Sequence, residues 1–204
     1  MRRMAALALP FAHLNLRFNP FGEPPVAARA SLAIVDLPEL RAGDPVQLIG
    51  ESGRGKTTHL LALRARHPDA AYERLHEGEH RLRTAPPAAG VFLLDEAQRL
   101  RRADLRRLDA RAGLVLAFGT HDDLSPIVGR PLRTVRVDVV GAARLRAIVD
   151  RRIEWARRAP GPVPRISDSA LATLVARYGT DVRAIEGALY DAVQRMEEPG
   201  DVEV

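Results

Sequence analysis

Short apolar runs alternate with amphipathic stretches through the middle of this chain. Val46-Gln47-Leu48-Ile49, Ala71–Leu75, Val91-Phe92-Leu93-Leu94-Asp95, Leu114-Val115-Leu116-Ala117-Phe118 and Thr134–Val140 each read as a strand. Helical patterns over 55–66 and Ala103–Arg111 lie between them. Nearly continuous apolar runs suit strands covered on both faces, so the alternation predicts a parallel sheet between layers of helices. Residues 30–42 are ambiguous, because Ser31–Leu37 reads equally as a strand or a short helix. After Gly141 the strand pattern stops. Ala142–Ala159, a segment begun by Ser167-Asp168, and Val182–Glu197 read as three amphipathic helices. Pro160-Gly161-Pro162-Val163-Pro164 and Gly179-Thr180-Asp181 separate them. The expected fold class is α/β: a five-stranded parallel sheet sandwiched by helices, followed by a small three-helix lid. The expected divisions are an N-terminal arm (1–29), an α/β core (30–140), the lid (141–198) and a tail (199–204).

The turn after the first strand carries the sharpest chemistry. Gly50-Glu51-Ser52-Gly53-Arg54-Gly55-Lys56-Thr57 is a complete G-x-x-x-x-G-K-[ST] phosphate loop. At average composition this pattern arises by chance in roughly one chain in a hundred of this length. Of the 31 lysines and arginines, only Lys56 is a lysine. A compact ammonium is kept where a point charge must reach phosphate oxygens, a task for which the wide guanidinium fork is a poor substitute. Strand, loop and helix together form the required setting, with the N–H groups of residues 50–58, including Thr58, facing the phosphates.

Asp95-Glu96 ends a buried strand. Beside a phosphate loop, Asp95 and Thr57 become candidates to hold Mg²⁺, and Glu96 becomes the candidate to polarise a water. Thr120, at the end of the next strand, either touches the γ-phosphate or caps a turn. His121 reads as a surface residue rather than a base. Arg130 and Arg133 read either as solvated charges or as fingers reaching a neighbouring subunit's phosphate. Arg183 either folds over the phosphates or pairs locally with Asp181 and Glu186. The cluster Arg99, Arg101, Arg102, Arg106 and Arg107 is either a solvated helix face or a contact for duplex DNA.

Composition narrows the class. The net charge of +5 permits an acidic partner without requiring one. Only 4% of residues are aromatic, which argues against a stacking platform for single strands. The absence of cysteine excludes disulfides and thiolate metal sites. No apolar run approaches the roughly 20 residues a membrane helix needs. Met1–Pro10 is too short and too interrupted for a secretory leader. A cytoplasmic protein is expected.

These pieces together resemble the AAA+ ATPases. Gly50–Thr57 is similar to their Walker A loop. Phe92-Leu93-Leu94-Asp95-Glu96-Ala97-Gln98 resembles a Walker B segment of the D-E-A-Q form found in ExeA-type secretion ATPases and in TniB, TnsC and MuB. Leu14-Asn15-Leu16-Arg17-Phe18-Asn19-Pro20-Phe21 resembles the entry arm of the ExeA type. Thr120 matches the sensor 1 slot, and Asp181–Leu189 resembles the sensor 2 helix of DnaA-like initiators. The resemblance implies ATP and Mg²⁺ as cofactors and an ATP-dependent oligomer that hydrolyses slowly without a partner. That partner would be duplex DNA or another protein. The connection from Leu75 to Gly90 is shorter than those relatives use.

Rival P-loop classes fare worse. A GTPase base-reading motif needs a second lysine, which the chain lacks. A ParA-type loop needs lysine where Glu51 stands. A P-loop nucleotide kinase, and a protein-interaction switch with slow hydrolysis, stay open as alternatives.

Overall fold

The computed structural model describes residues 10–137, 141–179 and 181–204. Asp138, Val139, Val140 and Thr180, and the leader-like stretch up to Leu9, lie outside the described residues. The chain divides into two compact units. One comprises residues 26–139, and the other comprises 1–25 with 140–204.

In the first unit, five strands form one sheet: β1 (Val46–Ile49), β2 (Ala71–Arg74), β3 (Gly90–Asp95), β4 (Leu114–Thr120) and β5 (Arg133–Arg136). Their order is β2-β3-β4-β1-β5 and every pair is parallel. Register aligns the strand ends. Arg74 lies opposite Asp95, Asp95 opposite Gly119, and Ile49 opposite both Thr120 and Arg136. The carboxyl ends therefore make one row, the edge where open α/β sheets present ligand-binding groups.

Each face of this sheet has its own core. Helix α2 (Lys56–Arg66) buries Leu60 and Leu63 against Val46, Leu48, Leu93 and Ala117. Helix α1 (Val26–Leu32), which begins in the expected arm and runs into the ambiguous residues 30–42, packs along α2. On the other face, α3 (Arg102–Asp109) buries Leu105 and Leu108 with Phe92, Leu94, Leu116 and Phe118. A single turn, α4 (Ser125–Val128), follows β4. The apolar runs at β3 and β4 are continuous because both faces are covered.

The second unit is helical: α5 (Ala142–Ala156), α6 (Asp168–Tyr178) and α7 (Val182–Gln194). Ser167 Oγ caps α6 by accepting from the Ala170 amide at 3.1 Å, and Asp181 Oδ1 caps α7 through the Ala184 amide at 3.1 Å. Residues 10–25 belong to this core. Leu14, Leu16 and Phe21 are buried among Val149, Ile153, Leu171, Ile185 and Leu189. The Arg17 amide donates to Ala156 O at 2.8 Å, and the Arg158 amide donates to Asn15 O at 2.9 Å.

Candidate functional site

The site is built where β1, β3 and β4 end. Gly53 and Gly55 have φ of 81° and 98°, a left-handed conformation that lets the loop wrap tightly before α2. Gly55 precedes α2 and no side chain caps that helix. Its first N–H groups are thus presented by the loop itself, the arrangement that receives phosphate. Glu51 and Ser52 are exposed at the loop tip, while Gly50 is buried and Thr58 half-buried. Arg54 stands 3.6 Å from the Glu51 carboxylate.

Lys56 is 4% exposed, an unusual state for a lysine. Its Nζ donates to Gly50 O at 2.6 Å and Glu51 O at 2.9 Å, and stands 3.2 Å from His121 Nε2. The ammonium is folded over its own loop.

Asp95 is fully buried. Its Oδ2 accepts from Thr57 Oγ1 at 2.7 Å and from Tyr72 OH at 3.1 Å, with Arg74 Nε at 3.8 Å. Oδ1 accepts from the Glu96 amide at 3.1 Å. Burial, and then the adjacent Asp95 charge, push the Tyr72 phenol well above its ordinary pKa, so it stays a donor. Among the described residues, no group of three or more His, Cys, Asp or Glu side chains is placed to hold a metal. Mg²⁺ does not require one, because it is commonly held by one or two protein oxygens, several waters and substrate phosphates. The hydroxyl of Thr57 converging on a buried carboxylate beside a phosphate loop fits that donor set.

Glu96 has φ 60° and ψ 40°, a left-handed conformation for a residue with a side chain. It is 7% exposed. Its Oε2 accepts from Gln98 Nε2 at 2.8 Å and lies 3.3 Å from His121 Nε2 and 3.6 Å from Arg99 Nε. Burial pushes the carboxyl up, but the Gln98 amide, the neighbouring His121 and the charges of Lys56 and Arg99 outweigh it and hold the group below the usual glutamate range.

Thr120 is fully buried, and its hydroxyl serves a local turn. Oγ1 donates to Asp122 O at 2.8 Å and accepts from the Asp122 amide at 3.2 Å. The next residue, His121, is the one that reaches both Lys56 and Glu96. In the sequence it reads as a surface residue, and its one signal there is its place just beyond a strand aligned with the loop strand. Tyr72 and Arg74 carry no such signal, and Gln98 is marked in the sequence only as part of the D-E-A-Q segment.

The remaining candidates lie elsewhere. Arg133 opens β5 opposite Val46, at the edge of the sheet away from the loop. It pairs with Asp44 at 3.3 Å and donates to Glu39 O. Arg130 grips Asp109 through two nitrogens at 2.7 and 3.0 Å and also donates to Gly43 O. Arg183 is exposed in the first turn of α7, where its charge acts on Glu186. The arginine cluster is split. Arg99 donates to Leu75 O, Arg106 to Ile127 O and Arg107 to Asp104. Arg101 and Arg102 are exposed and make no ion pair among the described residues.

None of the known protein families matches this chain, and no curated protein matches it. Among solved structures, a point mutant of RuvB from Thermogota maritima is similar at 17% identity, with a TM-score of 0.47. The match covers 80% of this chain and 56% of that one, so this chain spans little more than half its length. The sheet order, the phosphate loop and the helix it opens make this an α/β protein of the P-loop nucleoside triphosphatase fold.

Proposed function

We propose that this chain is an AAA+ ATPase that works as an ATP-dependent, self-assembling switch. One observation carries the reading: Lys56 and Thr57 from the loop after β1 converge with Asp95 and Glu96 from the end of β3 at the carboxyl edge of the sheet. In this reading the loop amides and Lys56 bind the β- and γ-phosphates. Thr57 and Asp95 would hold Mg²⁺, which when bound neutralises charge on the transferring phosphoryl group. Glu96 accepts a proton from the attacking water, a role suited to a carboxylate that stays ionised. Tyr72 fixes the Asp95 carboxylate by donating to Oδ2.

A finger from Arg130 would have to leave Asp109, and one from Arg133 would have to leave Asp44. The test is phosphate release from ATP across protein concentrations, with Lys56→Ala as the control. Turnover per subunit should rise with concentration. Turnover equal in the Lys56→Ala protein would reject the reading.

Duplex DNA as a partner rests on Arg101 and Arg102, which adjoin at the start of α3. Contacts of this kind are independent of base sequence and weaken steeply with salt. A titration of labelled duplex at two salt concentrations, with Arg101→Ala/Arg102→Ala for comparison, tests it. A protein partner is favoured if neither protein binds.

A further inference from the structure

We propose that His121 is a positioning residue that couples the arrival of phosphate at Lys56 to the setting of Glu96. The inference rests on the ATPase reading. It concerns a residue that the motif assignments leave without a role.

Two charged groups converge on one atom. His121 Nε2 lies 3.2 Å from Lys56 Nζ and 3.3 Å from Glu96 Oε2. An ammonium only donates and a carboxylate only accepts. A neutral imidazole Nε2 is either a donor or an acceptor at one time. If it accepts from Lys56, its lone pair faces Glu96 without a proton. If it donates to Glu96, its N–H faces the ammonium. The two contacts are mutually exclusive in a neutral ring.

The surroundings set how this competition is resolved. The His121 amide donates to Gln98 Oε1 at 3.3 Å, while Gln98 Nε2 donates to Glu96 Oε2 at 2.8 Å. Gln98 therefore ties the backbone of His121 to the carboxylate of Glu96. Lys56 is bound differently, since its other partners include the Gly50 and Glu51 carbonyls of the loop. Phosphate oxygens carry full charge and outcompete carbonyls for an ammonium. When phosphate draws Lys56 off its carbonyls, Nε2 loses one claimant. The ring then takes the other tautomer, losing its Nδ1 proton to water and gaining one at Nε2, and Nε2–H donates a hydrogen bond to the Glu96 carboxylate, which His121 and Gln98 hold together. Lys56 reports the phosphate, His121 passes the report on, and Glu96 is oriented only when the loop is filled.

Glutamine at 121 provides the discriminating test. Its amide has a donor and an acceptor on separate atoms, so it can serve Glu96 and Lys56 at once. Alanine can serve neither. The experiment measures ATP turnover, KM and the affinity for a fluorescent ATP analogue in wild type, His121→Ala and His121→Gln. Misorientation of a catalytic group costs on the order of 10²-fold, so His121→Ala should lower kcat by about ten- to a hundredfold. Affinity for the analogue should hold or tighten, because the resting Lys56 has lost a partner. His121→Gln should recover most of kcat. Should His121→Ala fail to fold, His121→Leu keeps the bulk and takes its place. Unchanged kcat in the alanine or leucine protein overturns the proposal, as does a glutamine protein no better than it. Equal losses in kcat and affinity also overturn it, since they indicate a purely structural role. If wild type binds the analogue no better than Lys56→Ala, the ATPase reading itself has failed.

Discussion

A Cβ added to Gly119 would stand 2.8 Å from Asp95 Oδ1. The same atom would meet Leu60 Cδ1 at 2.9 Å. Residue 119 faces the carboxylate directly across the β3–β4 register, so the strand can carry no side chain there. Gly119→Ala must push Asp95 or α2 aside. Overpacking of this kind costs about 1–3 kcal/mol. We expect a lower urea midpoint and weaker Mg²⁺-dependent binding of a fluorescent ATP analogue. An unchanged midpoint and unchanged binding would show that the crowding is relieved at no cost.

Lys56→Ala removes a buried ammonium and the only lysine. A hydrogen bond to a charged group contributes about 1.5–3 kcal/mol, so nucleotide affinity should fall by at least about tenfold. Lys56→Arg should not rescue it, because the guanidinium is too broad for the space beside Gly50 O and His121. Equilibrium titration of the analogue decides both.

Glu96→Gln separates binding from hydrolysis. The amide keeps the shape but takes up no proton, and loss of a general base lowers turnover by about 10²–10⁴. Analogue affinity should stay near wild type. Parallel loss of both would make Glu96 a structural residue.

The helical unit contains a buried ion pair that nothing in the nucleotide site uses. Arg152 donates to Glu186 at 2.7 Å and to Gly22 O at 3.2 Å, with only 6% of its side chain exposed. Removing one partner of such a pair costs about 3–5 kcal/mol, so Arg152→Ala should unfold at much lower denaturant. Burial pushes the Glu186 carboxyl up, and the Arg152 charge only partly opposes it. A group whose pKa is raised by folding contributes stability that is complete below its unfolded pKa. That contribution is lost as pH rises through the folded value. Melting temperature should therefore decline across that window, and Glu186→Gln should flatten the decline.

The parts of the site that a reader of the sequence can find are those carried by short contiguous motifs. Lys56 and Thr57 sit within one loop, and Asp95 and Glu96 end one apolar run. Their meaning follows from strand context alone. Tyr72, Arg74 and His121 reach the site through strand order. β2 lies beside β3, and β4 lies between β3 and β1, so residues more than twenty positions apart become neighbours. No one-dimensional pattern encodes that adjacency. β1, β3 and β4 were legible because covered strands are nearly all apolar, whereas the edge strands β2 and β5 mix apolar with charged positions. The single turn α4 was not, because four residues hold no period. The role of Leu14 and Leu16 was equally hidden, since an arm without periodicity gives no hint of the helices it joins.

That arm has a consequence for how the chain is made. Leu14, Leu16 and Phe21 are synthesised before the sheet, yet the helices they pack on follow it. Domains generally fold as units during synthesis, at about 5–20 residues per second. The sheet unit can close as soon as β5 has emerged. The arm must wait, its apolar side chains unsatisfied, until α7 has been made. A nascent chain halted between β5 and α5 would carry a finished sheet and an orphaned hydrophobic leader, which is the kind of segment that chaperones capture.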